Sequence, residues 1–224
     1  MKFENTEVWG FEHAIRGMRN PLESWDKSDS EYIDIESEEG IELQSKGIYY
    51  KIGENDLELM QKLIKAGSEH RKFLRQIFIS VDITAPFYWW KEFDTYKVGT
   101  VSNSCSTMHK LASTPITMNC FEMGDFDYFV GQNENDIGHI WEGLIYDLEY
   151  LRRKYNETKD KRYWKELIRL LPESWLQKRT ITMNYENILT MYRGRKNHKL
   201  TEWSKSFCDW VKTLPYAEEL ICLE

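Results

Sequence analysis

Cysteine is scarce in this chain of 224 residues and never closely paired: its 4 thiols, Cys105, Cys120, Cys208 and Cys222, lie far apart, with no C-x-x-C and no neighbouring histidine at metal-ligand spacing. That pattern argues against a zinc site and leaves the expectation of reduced thiols and no metal. The 5 histidines, His13, His70, His109, His139 and His198, are equally dispersed, and no H-E-x-x-H, G-x-S-x-G, P-loop or G-x-G-x-x-G occurs. Metalloprotease, serine hydrolase, NTPase and Rossmann readings lose their usual support. No apolar run approaches the roughly 20 residues that cross a bilayer, and the opening Met-Lys-Phe-Glu-Asn has no apolar signal core. A basic excess is missing too: 30 Lys and Arg against 37 Asp and Glu give a net charge of −7, with no electrostatic footprint for a nucleic-acid polymer. One soluble, cytoplasmic domain spanning 1–224, with no membrane or nucleic-acid-polymer partner, is the expectation.

Aromatic residues are abundant. The 9 Trp, 13 Tyr and 10 Phe sit in a polar chain of mean hydropathy −0.64, so large stacking surfaces are expected in a core, between subunits or against a planar ligand. Residues 20–40 read as a polar surface excursion and Ile41 to Ile52 as a short hairpin around Lys46-Gly47. Leu57, Met60, Leu63 and Ile64 recur at helical spacing until Gly67. In Ile77 to Thr84, Ser80, Asp82 and Thr84 share one face, which predicts a half-buried strand ended near Pro86. Phe87 to Tyr96 reads as a helix and Gly99 to Ser106 as a polar loop. Helices are expected over 134–155, 161–171, 183–195 and 199–212. The class is α+β, a strand-bearing first half with a helical second half packed on it.

Two stretches carry chemistry-bearing side chains. In Tyr96 to Lys110, hydroxyls, an amide and cations crowd together, as suits phosphate and sugar oxygens; the same residues also suit a polar turn in which Ser104 or Ser106 caps the next helix. In Arg179 to His198, Asn184, Asn187 and Met191 form one helical stripe that Arg195 continues. Two amides and a guanidinium on a stripe suit a carbonyl-rich heterocycle; alternatively, Arg193, Arg195, Lys196 and His198 simply complement a helix C-terminus.

The order and spacing of these pieces resemble the flavin-dependent thymidylate synthases, which make dTMP from dUMP with FAD as reductive carrier. That family's hallmark, Arg-His-Arg-x-x-Ser-x-Asn-Glu-x-Ser-x-Arg, follows a Gly-His-x-x-Pro-Phe-Glu-His segment, a strand and a Pro-containing aromatic helix. Here Glu69-His70-Arg71-Lys72-Phe73-Leu74-Arg75 resembles the first segment, Ile77 to Thr84 the strand, Ala85 to Glu92 the helix start, and Asn103-Ser104-Cys105-Ser106 the Asn-Glu-x-Ser. The family's Leu-Pro, later Thr-x-Asn and final Arg fall at the intervals of Leu171-Pro172, Thr182-Met183-Asn184 and Arg195. The likeness runs from about Leu63 to Trp203, and more weakly through Ala14 to Met18.

The resemblance implies a flavin-dependent thymidylate synthase-like fold and a homotetramer acting on a uracil mononucleotide. FAD would be the cofactor, with reduced nicotinamide and methylenetetrahydrofolate as co-substrates. It implies that Arg195 is catalytic and substrate-binding, contacting the uracil and favouring its N3 anion. His70, Lys97, Asn103 and Asn184 would contact cofactor, while Ser104, Ser106 and Arg169 would contact substrate. Cys105 falls where the family has an ordinary apolar residue.

The departures are specific. In register with Asn103, Arg-His-Arg becomes Tyr96-Lys97-Val98, the Glu becomes Ser104, and the final Arg becomes Met108. Two guanidiniums are lost, each able to make charge-assisted hydrogen bonds worth roughly 1.5–3 kcal/mol. Lys97 brings a charge without the bidentate fork. The family's Asn-x-Arg is Asn184-Tyr185-Glu186 here, and its Arg before Leu-Pro is shifted to Arg169. A non-redox nucleotide-binding protein on the same scaffold is the alternative, and an unrelated interaction protein the third reading.

Overall fold

A computed structural model of the chain describes residues 1–34, 48–124 and 137–223. Its main sheet has the strand order β1-β4-β6-β5, from β1 (Lys2–Trp9), β4 (Phe78–Pro86), β5 (Val101–Ser104) and β6 (Leu176–Asn184). A second sheet pairs β2 (Glu31–Asp34) with β3 (Ile48–Lys51), antiparallel, with Glu31 opposite Lys51. The hairpin expected over 41–52 lies outside the described residues up to 47, and β3 finds its partner in the 20–40 stretch instead.

The chain divides into two compact units, the first formed by Met1–Glu4, Asp82–Thr95 and Ser102–Thr180, the second by Asn5–Val81, Tyr96–Val101 and Ile181–Glu224. In the first unit, α3 (Phe87–Phe93) buries Trp89, Trp90 and Phe93, with Trp89 stacked on Phe93 at 5.2 Å between centroids. Trp89 and Trp90 are therefore core residues, the first of the three places open to the aromatic excess. The short α4 (Thr107–Lys110), the long α5 (Ile137–Thr158) and α6 (Lys161–Leu170) follow. α5 packs on α6, and Leu148 and Leu167 close a cluster with Leu111, Ile116 and Phe121.

In the second unit, α1 (Phe11–Arg19) and α7 (Tyr185–Arg195) both pack on the 3-10 turn Lys72–Gln76. α2 (Glu54–Lys65) meets α9 (Ala217–Leu220), and α8 (Cys208–Lys212) meets α7. The core there includes Phe11, Met60, Ile64, Phe73, Leu74, Ile77, Tyr185, Trp203 and Phe207. A buried ion pair, Arg19 Nε to Asp56 Oδ1 at 2.6 Å, ties α1 to α2.

The α+β class and the strand at Ile77 to Thr84 stand as read, with Val81 and Ile83 inward between half-exposed Ser80, Asp82 and Thr84. The helices read at Leu57 to Ile64 and over 161–171 are likewise present as α2 and α6, while four expectations need adjusting. The Phe87 helix ends at Phe93 rather than Tyr96, and Gly99 to Ser106 contains the edge strand β5. The helix expected from Met183 begins at Tyr185, because Asn184 ends β6 and caps α7. Within 199–212, Glu202–Phe207 is π-helical and α8 follows.

Candidate functional site

Asn184 and Asn187 hold each other at the start of α7 in a reciprocal capping box: Asn187 N donates to Asn184 Oδ1 at 3.0 Å, and Asn184 N donates to Asn187 Oδ1 at 3.2 Å. This satisfies backbone donors that a helix start leaves orphaned. Asn187 Nδ2 donates onward to the Val98 carbonyl at 2.7 Å. Between them lies Gly99, with φ +79, where a Cβ would sit 3.1 Å from Asn184 Nδ2 and 3.1 Å from Asn187 Oδ1. The close approach and positive φ both call for glycine.

This corrects the stripe of Asn184, Asn187 and Met191. Asn184 precedes the helix, both amide oxygens are engaged in the cap, and Met191 is wholly buried. The amide groups organise the start of the helix and hold the 96–101 segment against it.

At the far end of α7, Arg195 Nε donates to the Tyr96 hydroxyl at 3.0 Å. Its guanidinium lies 5.6 Å from the Tyr96 ring centroid and 4.9 Å from that of Trp203. A cation over two aromatic faces is held electrostatically as well as by its hydrogen bond. Tyr96 occupies the first triplet position, so the ring replacing a guanidinium now orients another one. Trp203, fully buried, was not singled out from sequence; no local motif marks it, and only the fold brings it beneath Arg195.

Near the start of α7, Glu186 is shared by Arg71 Nε at 3.3 Å and by Arg75. The carboxylate that replaces a family cation is thus neutralised by two guanidiniums from the 71–76 segment. His70, beside them, is exposed, as is Lys97.

The remaining expected residues belong to the first unit. Asn103 and Ser104 lie exposed on β5, and Cys105 N donates to the Lys178 carbonyl at 2.9 Å. Ser106 caps α4, its Oγ accepting from His109 N at 3.3 Å, so the capping reading of that serine holds. Arg169 pairs with Glu166 on α6. The structure therefore gathers Tyr96, Lys97, Asn184 and Arg195 in one unit and Asn103, Ser104, Ser106 and Arg169 in the other.

By donor chemistry alone, the amide of Asn184, the ammonium of Lys97 and the imidazole of His70, all in the second unit, are of the kinds that hydrogen-bond the carbonyl oxygens of a flavin ring. Among the described residues, no cluster of His, Cys, Asp or Glu could hold a metal ion, and no helix is long and apolar enough to cross a membrane.

The fold is that of the flavin-dependent thymidylate synthases. The chain is similar to ThyX from Helicobacter pylori complexed with FAD and dUMP, with a TM-score of 0.67 at 16% identity over 100% of both chains. It is also similar to a second structure of that enzyme with FAD and dUMP, with a TM-score of 0.65 at 15% identity over 99% of this chain and 97% of that one. No family model and no curated protein matches the sequence.

Proposed function

We propose that this chain is a flavin-dependent thymidylate synthase-like protein that methylates dUMP, or a related uracil nucleotide, to dTMP. The observation that carries the reading is Arg195: it stands at the family's interval after Asn184, and its guanidinium is fixed by Tyr96 over the Trp203 ring. Facing a uracil, that cation stabilises the anion at N3 and so enriches C5 for attack on a one-carbon unit. His70, Lys97 and Asn184 would hold FAD. Bound FAD supplies the reducing equivalent for the transferred carbon, with methylenetetrahydrofolate and reduced nicotinamide as co-substrates. A homotetramer belongs to the same reading, and light scattering on the purified protein measures it.

An absorbance spectrum and a thermal-shift titration test the proposal. Flavin bands, as purified or after adding FAD, together with a dUMP-induced shift are expected. A protein that stays colourless with FAD and ignores dUMP overturns it. The loss of both triplet guanidiniums favours a second reading, a non-redox nucleotide-binding protein on this scaffold. It is marked by a dUMP shift in a chain that takes no flavin. Both readings expect Arg195→Ala to remove most of the uracil-nucleotide affinity; unchanged binding would instead indicate that Arg195 does not touch the ligand.

A further inference from the structure

The triplet's guanidiniums are gone, yet cations collect elsewhere in the second unit. Arg71 and Arg75 both reach Glu186, in the first turn of α7. Arg193 follows Glu186 by seven residues, two turns along the same helix, and so lies on the same face. Burial lowers the Arg193 pKa, and the charge of Arg71 lowers it further, so the two guanidiniums feel one another. Glu186 is largely covered, its side chain 13% exposed, whereas Arg75 is 53% exposed. Glu186 pairs with two of the three guanidiniums, and Glu69, itself paired with Lys72, also acts on Arg75; three guanidiniums and one ammonium against two carboxylates leave the cluster cationic. Planar guanidinium forks match the oxygens of a phosphate bidentately.

We propose that Arg71, Arg75 and Arg193 form the anion site of this chain, taking the phosphate or diphosphate of its nucleotide ligand, with Glu186 holding two of the guanidiniums in place. The inference rests on the nucleotide reading above for the ligand's identity, while its charge comes from the cluster itself. A mononucleotide phosphate and the FAD diphosphate share the required chemistry, and the experiment separates them.

The test is calorimetric titration of the full chain with inorganic diphosphate, dUMP, FAD and riboflavin, the last lacking phosphate. Arg193→Gln should weaken diphosphate and the natural phosphate-bearing ligand about tenfold, the scale of one charge-assisted hydrogen bond, and leave riboflavin unchanged. Glu186→Gln, which removes the competing carboxylate, should strengthen diphosphate binding. A loss confined to FAD assigns the site to the flavin, and one confined to dUMP assigns it to the mononucleotide. If the cluster is only a structural ion-pair network, Glu186→Gln lowers Tm without strengthening any anion and Arg193→Gln alters no affinity, which overturns the proposal. If dUMP and FAD bind but ignore both variants, the anion site falls and the nucleotide reading stands. If diphosphate responds as expected while neither nucleotide binds, the site stands and that reading falls. Arg71 is left out of the decisive pair because its removal also loosens the turn against α7.

Discussion

Asp56 is wholly buried, and its two oxygens accept from Arg19 Nε, from the hydroxyls of Ser28 and Ser30, and from the backbone N–H groups of Asp29 and Ser30. Arg19 in turn donates to the carbonyls of Ser24 and Lys27. One carboxylate therefore fixes the 24–30 segment to α1 and α2. A buried pair is weak evidence for net stabilisation, but removing one partner strands the other charge. Asp56→Ala should cost about 3–5 kcal/mol, read as a lower urea midpoint. Asp56→Asn should cost less, since an amide oxygen still accepts some of those hydrogen bonds. At the same scale, Gly99→Ala places a methyl against the Asn184 and Asn187 amides at positive φ. A loss of about 1–2 kcal/mol is expected, measured by the same unfolding.

At the scale of elements, the cap of α7 is the most informative junction, because it ends β6 and starts the helix that carries Arg195. Asn184→Ala should destabilise the protein by about 1 kcal/mol, with faster amide exchange confined to the first turn of α7. Asn184→Asp keeps the accepting oxygen and should retain most of the stability. The same junction shows why some elements were legible in sequence and others were not. β4 announces itself because Ile79, Val81 and Ile83 are buried between half-exposed neighbours, the alternation a half-buried strand produces. β6 does not, because polar residues occupy its positions and are satisfied by partners that only folding supplies. Arg179 lies 4.2 Å from the Trp90 ring centroid and pairs with Asp94, while Gln177 donates to the Cys105 carbonyl. β1 is mostly exposed and carries a positive φ at Asn5, so it has little apolar pattern to read. The interval from Asn184 to Arg195 was legible because a helix of fixed rise separates them. The Arg71–Glu186–Arg75 cluster was not, since it depends on contacts between segments far apart in sequence; nor was Trp203, which no motif marks and which meets Arg195 and the distant Tyr96 only once the chain turns after α7.

At the scale of the whole molecule, both units hold a carboxylate whose pKa is lowered by folding. In the first, hydrogen bonds from Arg152, opposed by burial and aided by the Ile116 N–H and Arg153, bring Glu149 down to about 2. In the second, burial would raise Asp56, but Ser28, Ser30 and Arg19 outweigh it and hold it below its ordinary value. A lowered folded-state pKa contributes stability above the unfolded pKa and loses it as pH falls toward the folded one. Stability should therefore decline below about pH 4, where free carboxyls begin to protonate, rather than track the pI of 5.4. Thermal melts from pH 7 to pH 2 should show this, and Glu149→Gln should flatten the acid limb of the profile while lowering stability at neutral pH. The cation beneath which Trp203 lies adds an optical consequence. A guanidinium over an indole perturbs its excited state, so an anion that draws Arg195 away must change the colour or yield of that ring's emission. The difference in fluorescence between the natural chain and Trp203→Phe then works as a label-free gauge of occupancy at Arg195, independent of any flavin signal.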